Sequence, residues 1–298
     1  MASLSLPCAV TVAPLPDQRS RGYWASVWLR FTRDPVAMGA AVVVLLLICM
    51  AVFGPWLVPA DPYQTSMLKR LKPIGTDGLL LGSDELGRDM LSRLIVGARL
   101  SLFVGITPVL LAFVLGTVIG IVAGYAGGLT NTLVMRTIDV FYAFPSVLLA
   151  IALSGTLGAG VVNSLISLTI VFIPQIARVA ESVTTQVRGR DYVEAARASG
   201  ASAFTIVRVH VLGNVLGPIF VYSTSLIAVS MILASGLSFL GLGVKPPEPE
   251  WGLMLNTLRT AIYVQPWVAA LPGVMIFITS ISFNILSDGL RAAMDNKG

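Results

Sequence analysis

The chain has 298 residues, of which 55% are hydrophobic and only 12% charged, with a mean hydropathy of +0.84. A soluble globular domain carries about 25% charged residues, so the composition excludes that class and describes a polytopic membrane protein. The formal charge of +5 invites a nucleic-acid reading, but an excess of Arg on one side of a bilayer accounts for it without nucleic acid.

Residues 1–30 read as a cytoplasmic N-terminal tail, disordered to about Gly22. Its start, MASLSLPC, has neither the basic opening nor the apolar run of a secretory signal. Cys8 follows Pro7, where a lipid-anchor site wants a small residue. The first transmembrane helix falls within 31–60, over Val36–Val58, with Pro35 placed as its starter. About 20 apolar residues cross a hydrocarbon core of about 30 Å.

Residues 61–99 read as a small folded extracytoplasmic element. Asp77, Asp84, Glu85 and Asp89 there offset the basic residues between Lys69 and Arg99. Residues 100–291 form a five-helix core, with spans over Leu100–Tyr125, Leu133–Leu157, Val161–Val179, Val215–Leu240 and Trp267–Leu286, followed by a cytoplasmic tail, 292–298. Six spans put both ends on one side. With that side cytoplasmic, the inner segments hold 12 of the 20 Lys and Arg residues and the outer segments 8.

The spans are nearly free of charge; only Arg136, Asp139 and Arg178 approach them, at inner ends. A mid-bilayer charge costs about 3 kcal/mol or more and is kept for function. Proton-coupled carriers usually keep such groups; sodium can be held by backbone carbonyls instead, but an external energy source is the better fit. Pro145 and Pro174 interrupt the backbone ladders of spans three and four, as static kinks or as bends that let a cavity open. Gly116, Gly120 and Gly124 recur every four residues and let a neighbouring helix approach closely. The two cysteines, Cys8 and Cys49, and the single histidine, His210, are too scattered for a disulfide or a metal site.

One polar stretch stands out, Glu181 to Asn214, between spans four and five. Asp191 followed by Glu194 has the pattern of an N-terminal cap, and Gly200 that of a left-handed terminator. They bracket a helix over Tyr192–Ser199, with Tyr192, Ala195, Ala196 and Ser199 on one mostly small face and Glu194 and Arg197 pointing elsewhere. A second short helix follows over Ala203–Leu212 and contains His210. The pattern fits an ordinary solvated loop helix or a surface built to be gripped by another protein. Its position between two spans that must move together favours the latter. No Lys sits in a Gly-x4-Gly-Lys-Ser/Thr loop, and no catalytic constellation or metal cluster is assigned.

The segment Tyr192–Ala201 (YVEAARASGA) resembles the EAA motif of bacterial ABC importer permeases. The rest of the chain after Arg30 is similar to the second, C-type permease of the dipeptide and oligopeptide branch. The blocks carrying this likeness are Leu81–Arg93 (LGSDELGRDMLSR), Gly97–Leu102 (GARLSL), Tyr125–Gly128 with Arg136, Asp139 and Pro145, and Leu237–Gly243 (LSFLGLG). Further blocks are Pro246, Pro247 and Pro249 with Trp251-Gly252, and Phe283-Asn284 with Asp288–Arg291. The chain departs from the pattern at Leu79, where the family often has His, at Asn131, where it often has Asp, and at Gly213, where it usually has Pro.

The resemblance implies an all-α, six-helix membrane bundle in a bacterial inner membrane, with both termini cytoplasmic. It implies a homologous second permease, two ATP-binding subunits holding ATP and Mg, and an extracytoplasmic peptide-binding protein. This chain would carry no cofactor. Its coupling segment, about 188–214, would dock an ATPase through Tyr192, Glu194, Ala195, Ala196, Arg197, Ser199, Gly200 and Ala201. The substrate would be a dipeptide or short oligopeptide. A nickel or other small-solute importer and a self-contained secondary transporter are the alternatives.

Overall fold

The computed structural model describes residues 23–294, and they are all-helical: no extended strand occurs among them. The expected disordered segment to Gly22, and residues 295–298, lie outside the described residues. A short amphipathic helix, α1 (Tyr23–Phe31), precedes the first span, α2 (Pro35–Leu57). Asp34 caps α2, its carboxylate accepting from the Val36 and Ala37 amides at 2.9 and 3.2 Å, and Pro35 opens the helix. Ala37, Ala40, Val44, Leu47 and Ala51 are buried at alternating three- and four-residue spacing. Leu45, Leu46, Val52 and Phe53 stay exposed on the other face, which is what a lipid-facing helix presents.

Span two is longer than its apolar run. Helix α3 (Met90–Ala126) starts ten residues before Leu100, so 90–99 are its first turns and not part of a separate element. Asp89 fixes that start, accepting from the Ser92 amide and hydroxyl at 2.8 and 2.6 Å. The folded loop is therefore 58–89. Asp84 organises it, accepting from the Leu86 and Arg88 amides at 2.9 Å and pairing with the Arg88 and Arg93 guanidiniums at 2.6 and 3.5 Å.

Span three is not one helix. It divides into α4 (Gly128–Tyr142) and α5 (Ser146–Leu157), which meet at 86° around Pro145. The ring forbids the Pro145 amide bond and disfavours helical backbone at Phe144. Among the described residues, five helices are long and apolar enough to cross a membrane, or six if this broken pair is one span, which accords with the expected count.

Helix α6 (Val161–Arg188) packs in parallel on α3, with the glycine row at the contact. A Cβ at Gly116 would lie 3.0 Å from the Ile176 Cβ, at Gly120 2.5 Å from the Ala180 Cβ, and at Gly124 2.9 Å from the Thr184 Cβ. The two backbones thus approach only because these positions carry no side chain. After α6 come α7 (Asp191–Ala198) and α8 (Ala203–Ile206), then a π turn, Val207–Val211, that runs directly into α9 (Leu212–Phe239). The expected separate helix over Ala203–Leu212 is therefore the near end of span five, which is helical over Ala203–Phe239. Gly213 lies inside that rod, and its amide contributes to a ladder that Pro would interrupt.

Helix α10 (Trp251–Thr257) folds back against α9 and α11 (Pro266–Met294). Glu250 caps it, accepting from the Gly252 and Leu253 amides at 2.8 Å. The Trp251 indole is fully buried and donates to the Leu94 carbonyl at 3.0 Å. The two described ends share one face of the bundle: Val27 and Phe31 of α1 cluster with Ala293 of α11. The crossing number therefore returns the chain to the side on which it began.

Candidate functional site

Helix α7 lies at the end of the bundle opposite the 58–89 loop, since α6 and α3 run parallel and α7 follows α6. Its eight residues split sharply by exposure. Val193 is fully buried, and Ala196, half-buried, packs beside it on the main core with the buried Ile206 and Val211. Tyr192, Glu194, Ala195, Arg197 and Ser199 are exposed. Of the expected face of Tyr192, Ala195, Ala196 and Ser199, three residues are exposed and Ala196 is half-buried. Ala196 departs from it, because it stands three residues after Val193 and so turns with it toward the core.

The stop signal is as expected. Gly200 has φ +82°, its amide donates to the Arg197 carbonyl at 3.0 Å, and the Ala201 amide donates to the Ala196 carbonyl at 3.1 Å. These paired bonds, with half-buried Ala201 packed on the core beside Ala196, form a Schellman motif. The start differs from expectation. Arg190 is the N-cap and makes no side-chain capping bond, while Asp191 is already the first helical residue. Asp191 and Glu194 thus act on the helix as charges near its positive end rather than as a capping box.

Two ring contacts fasten α7 to its neighbours. The Arg197 guanidinium lies over the Tyr125 ring at the last turn of α3, 6.0 Å from its centroid. The Tyr192 and His210 rings are 6.3 Å apart, joining α7 to the π turn. His210 is thereby a packing residue. Neither contact follows from local spacing, since each joins segments far apart in the chain.

A second polar cluster ties the broken span three to α6. Asp139 pairs with Arg178, and with Arg136 at 3.9 Å, and the Arg178 guanidinium lies 5.2 Å from the Tyr142 ring centroid. One turn further along α6, Glu181 accepts from the Asn131 amide at 2.6 Å. An Asp at 131 would face the Glu181 carboxylate and lose that donor, so the departure at Asn131 has a local reason. Asp139 thus offsets part of the charge of two guanidiniums, and Glu181 is held by a neutral side-chain amide.

Comparison with known proteins places these features. Residues 116–297 match the family described as binding-protein-dependent transport system inner membrane component. Residues 22–73 match the N-terminal transmembrane domain of oligopeptide transport permease C. The chain is 41% identical over 287 residues to the glutathione transport system permease protein GsiD of Pectobacterium atrosepticum, covering 96% of this chain and 95% of the relative. It is 40% identical over 275 residues to the di/tripeptide transport system permease protein DppC of Pseudomonas aeruginosa, covering 91% of each. Among solved structures, an inward-facing MetNI methionine ABC transporter chain superposes with a TM-score of 0.56 at 20% identity, over 68% of this chain and 97% of that one. That likeness establishes a shared fold.

Proposed function

The chain belongs to the binding-protein-dependent transport system inner membrane component family, and from that premise we propose that it moves short peptides, as the C-type subunit of an ABC importer. The names of its relatives support di- and tripeptides, glutathione among them, as the substrate class. The end of the bundle that carries α1, α7 and the end of α11 is assigned to the cytoplasm, on the bias of basic residues.

The observation that carries the coupling role is the split surface of α7. A helix with one face wedged into the core and the other exposed can pass a push from a partner into the membrane. The exposed side offers Tyr192, Ala195, Ser199 and Gly200 to an ATPase surface, with Glu194 and Arg197 at its edges. The buried Val193 and half-buried Ala196 press on the core between α6 and α8, the near end of span five. When ATP closes two such ATPases, α7 and its counterpart in the second permease are drawn together, and α6 and α9 tilt with them. The nucleotide energy thereby biases a two-state bundle through its differential grip on one state. ATP and Mg reside in the partner subunits, and an extracytoplasmic binding protein delivers the peptide to the 58–89 side.

The test is uptake by the complex reconstituted in vesicles. ATP-dependent accumulation of dipeptides, tripeptides or glutathione is expected, with nickel not taken up. Uphill transport by this chain alone, without any nucleotidase, overturns the reading.

A further inference from the structure

A groove between α2 and α3 remains unused by this account. Ile48 and Val52 of α2 line it with Phe103 and Ile106 of α3, enclosing about 670 Å3. Two charged side chains, Arg99 and Glu248, line the same space. Arg99 stands one turn before Phe103, on the side of the 58–89 loop, where the apolar run of α3 begins. It is exposed and makes no ion pair among the described residues. Glu248 is also exposed, and its carboxylate accepts from the Tyr63 hydroxyl at 3.1 Å.

We propose that this groove holds a phospholipid with an ammonium head group, of the phosphatidylethanolamine type. One acyl chain lies along Ile48, Val52, Phe103 and Ile106. The phosphate meets the Arg99 guanidinium and the head-group ammonium meets the Glu248 carboxylate. The depth order on α3 matches that of a lipid: charge at the level of the head groups, apolar side chains one and two turns below. A guanidinium pairs bidentately with phosphate oxygens. A purely anionic lipid would satisfy Arg99 but bring its charge toward Glu248. A hydrated peptide crossing the bilayer needs a polar lining, whereas the wall here is apolar and opens beside the exposed apolar face of α2. The acyl chain gains little by leaving one hydrocarbon surrounding for another, so selectivity rests on the two charges. The inference requires only that the chain is embedded in a membrane, and stands apart from the coupling and substrate readings.

The experiment purifies the chain from membranes containing both phosphatidylethanolamine and phosphatidylglycerol and quantifies retained phospholipid by mass spectrometry. Phosphatidylethanolamine is expected several-fold above its share of the source membrane. Arg99→Ala removes that enrichment and Arg99→Lys largely restores it. Glu248→Gln, which keeps an acceptor for Tyr63, abolishes the preference over phosphatidylglycerol. Val52→Trp, which fills the groove from an exposed position, lowers retention of both lipids. A photoreactive side chain at Val52 is expected to give a lipid adduct in the native membrane. Unchanged enrichment in Arg99→Ala and Val52→Trp, wild-type enrichment of phosphatidylglycerol instead, or an adduct with another protein chain overturns the proposal.

Discussion

The guanidinium of Arg197, on α7, sits over the ring of Tyr125, at the last turn of α3. This contact makes α7 a lever with three supports rather than a loop hung between α6 and α9. Val193 is wedged into the core, the Tyr192 ring reaches His210 on the way into α9, and Arg197 bears on α3. A cation over an aromatic ring at an exposed site contributes about 0.5–1 kcal/mol. Tyr125→Leu is therefore expected to leave abundance and thermal unfolding nearly unchanged while lowering transport per ATP hydrolysed; Tyr125→Phe, which keeps the ring, should preserve it. Paired ATPase and uptake measurements on the reconstituted complex decide this, and equal coupling in Tyr125→Leu would remove the α3 support from the mechanism.

Glu194→Lys reverses a charge on the exposed side of α7, and Gly200→Trp places a bulky residue where φ is +82°. Left-handed backbone costs a non-glycine residue roughly 1–2 kcal/mol, and no neighbouring side chain stands within reach of a Cβ there. Both variants should insert at normal abundance and lose ATP-driven uptake. Co-purification of the ATPase with the variants measures the docking step directly. Normal uptake at normal abundance would falsify the assignment of α7 as the coupling helix.

The interior support is tested by Val193→Ala and Val193→Asp. Removing two methyl groups from a fully buried position costs on the order of 1–2 kcal/mol, which should weaken coupling while the chain still accumulates. A carboxylate at that position has no partner and should prevent α7 from seating. Protease sensitivity of the 188–203 segment in the purified protein distinguishes the two outcomes.

Gly120 makes a sharper demand. Its missing Cβ would lie 2.5 Å from the Ala180 Cβ, and both helices are held by contacts along their whole shared length. Gly120→Val should separate α3 from α6 and abolish stable accumulation, whereas Gly39→Val, at a position with open space, should be tolerated. Quantitative membrane immunoblots of the two variants give the comparison.

Glu250 predicts a pH dependence. Burial pushes its carboxyl above the ordinary range; the opposing pull of the Gly252 and Leu253 amides, which favours the anion, is the smaller effect. For a carboxyl raised on folding, the fold holds the proton more tightly than the unfolded chain does. Its contribution to stability is full below the ordinary carboxylate range and is lost as pH rises through the elevated folded-state value. Thermal unfolding of the purified protein should therefore show a component that declines with rising pH from the ordinary carboxylate range upward, absent in Glu250→Gln. An identical pH profile in that variant would show that Glu250 does not titrate in this window.

The sequence alone was sufficient for what depends on local spacing and solvent. Apolar runs long enough to cross a bilayer are legible because water cannot satisfy a backbone there, and Gly200 because only glycine takes its backbone angle easily. The length of the helices was not legible from hydropathy. Met90–Arg99 and Ala203–Asn214 mix charged or polar residues among apolar ones and Ala180–Arg188 is mainly polar, and they are helical because caps and tertiary packing hold them there. The same limit explains the break at Pro145. One proline signals a disturbed ladder, but the 86° turn it becomes is set by what α4 and α5 pack against.

Tertiary structure alone decided which side of α7 is free. Tyr192, Ala195 and Ala196 share a helical face on any wheel, yet Ala196 packs inward beside Val193, because the way α7 seats on the core turns that edge of the face inward. The joining of Arg197 to Tyr125, of Tyr192 to His210 and of Asp139 to Arg178 was likewise beyond the sequence. Such contacts are fixed by where whole helices come to rest, and that position is a sum over many weak packing terms, not a property of any short segment.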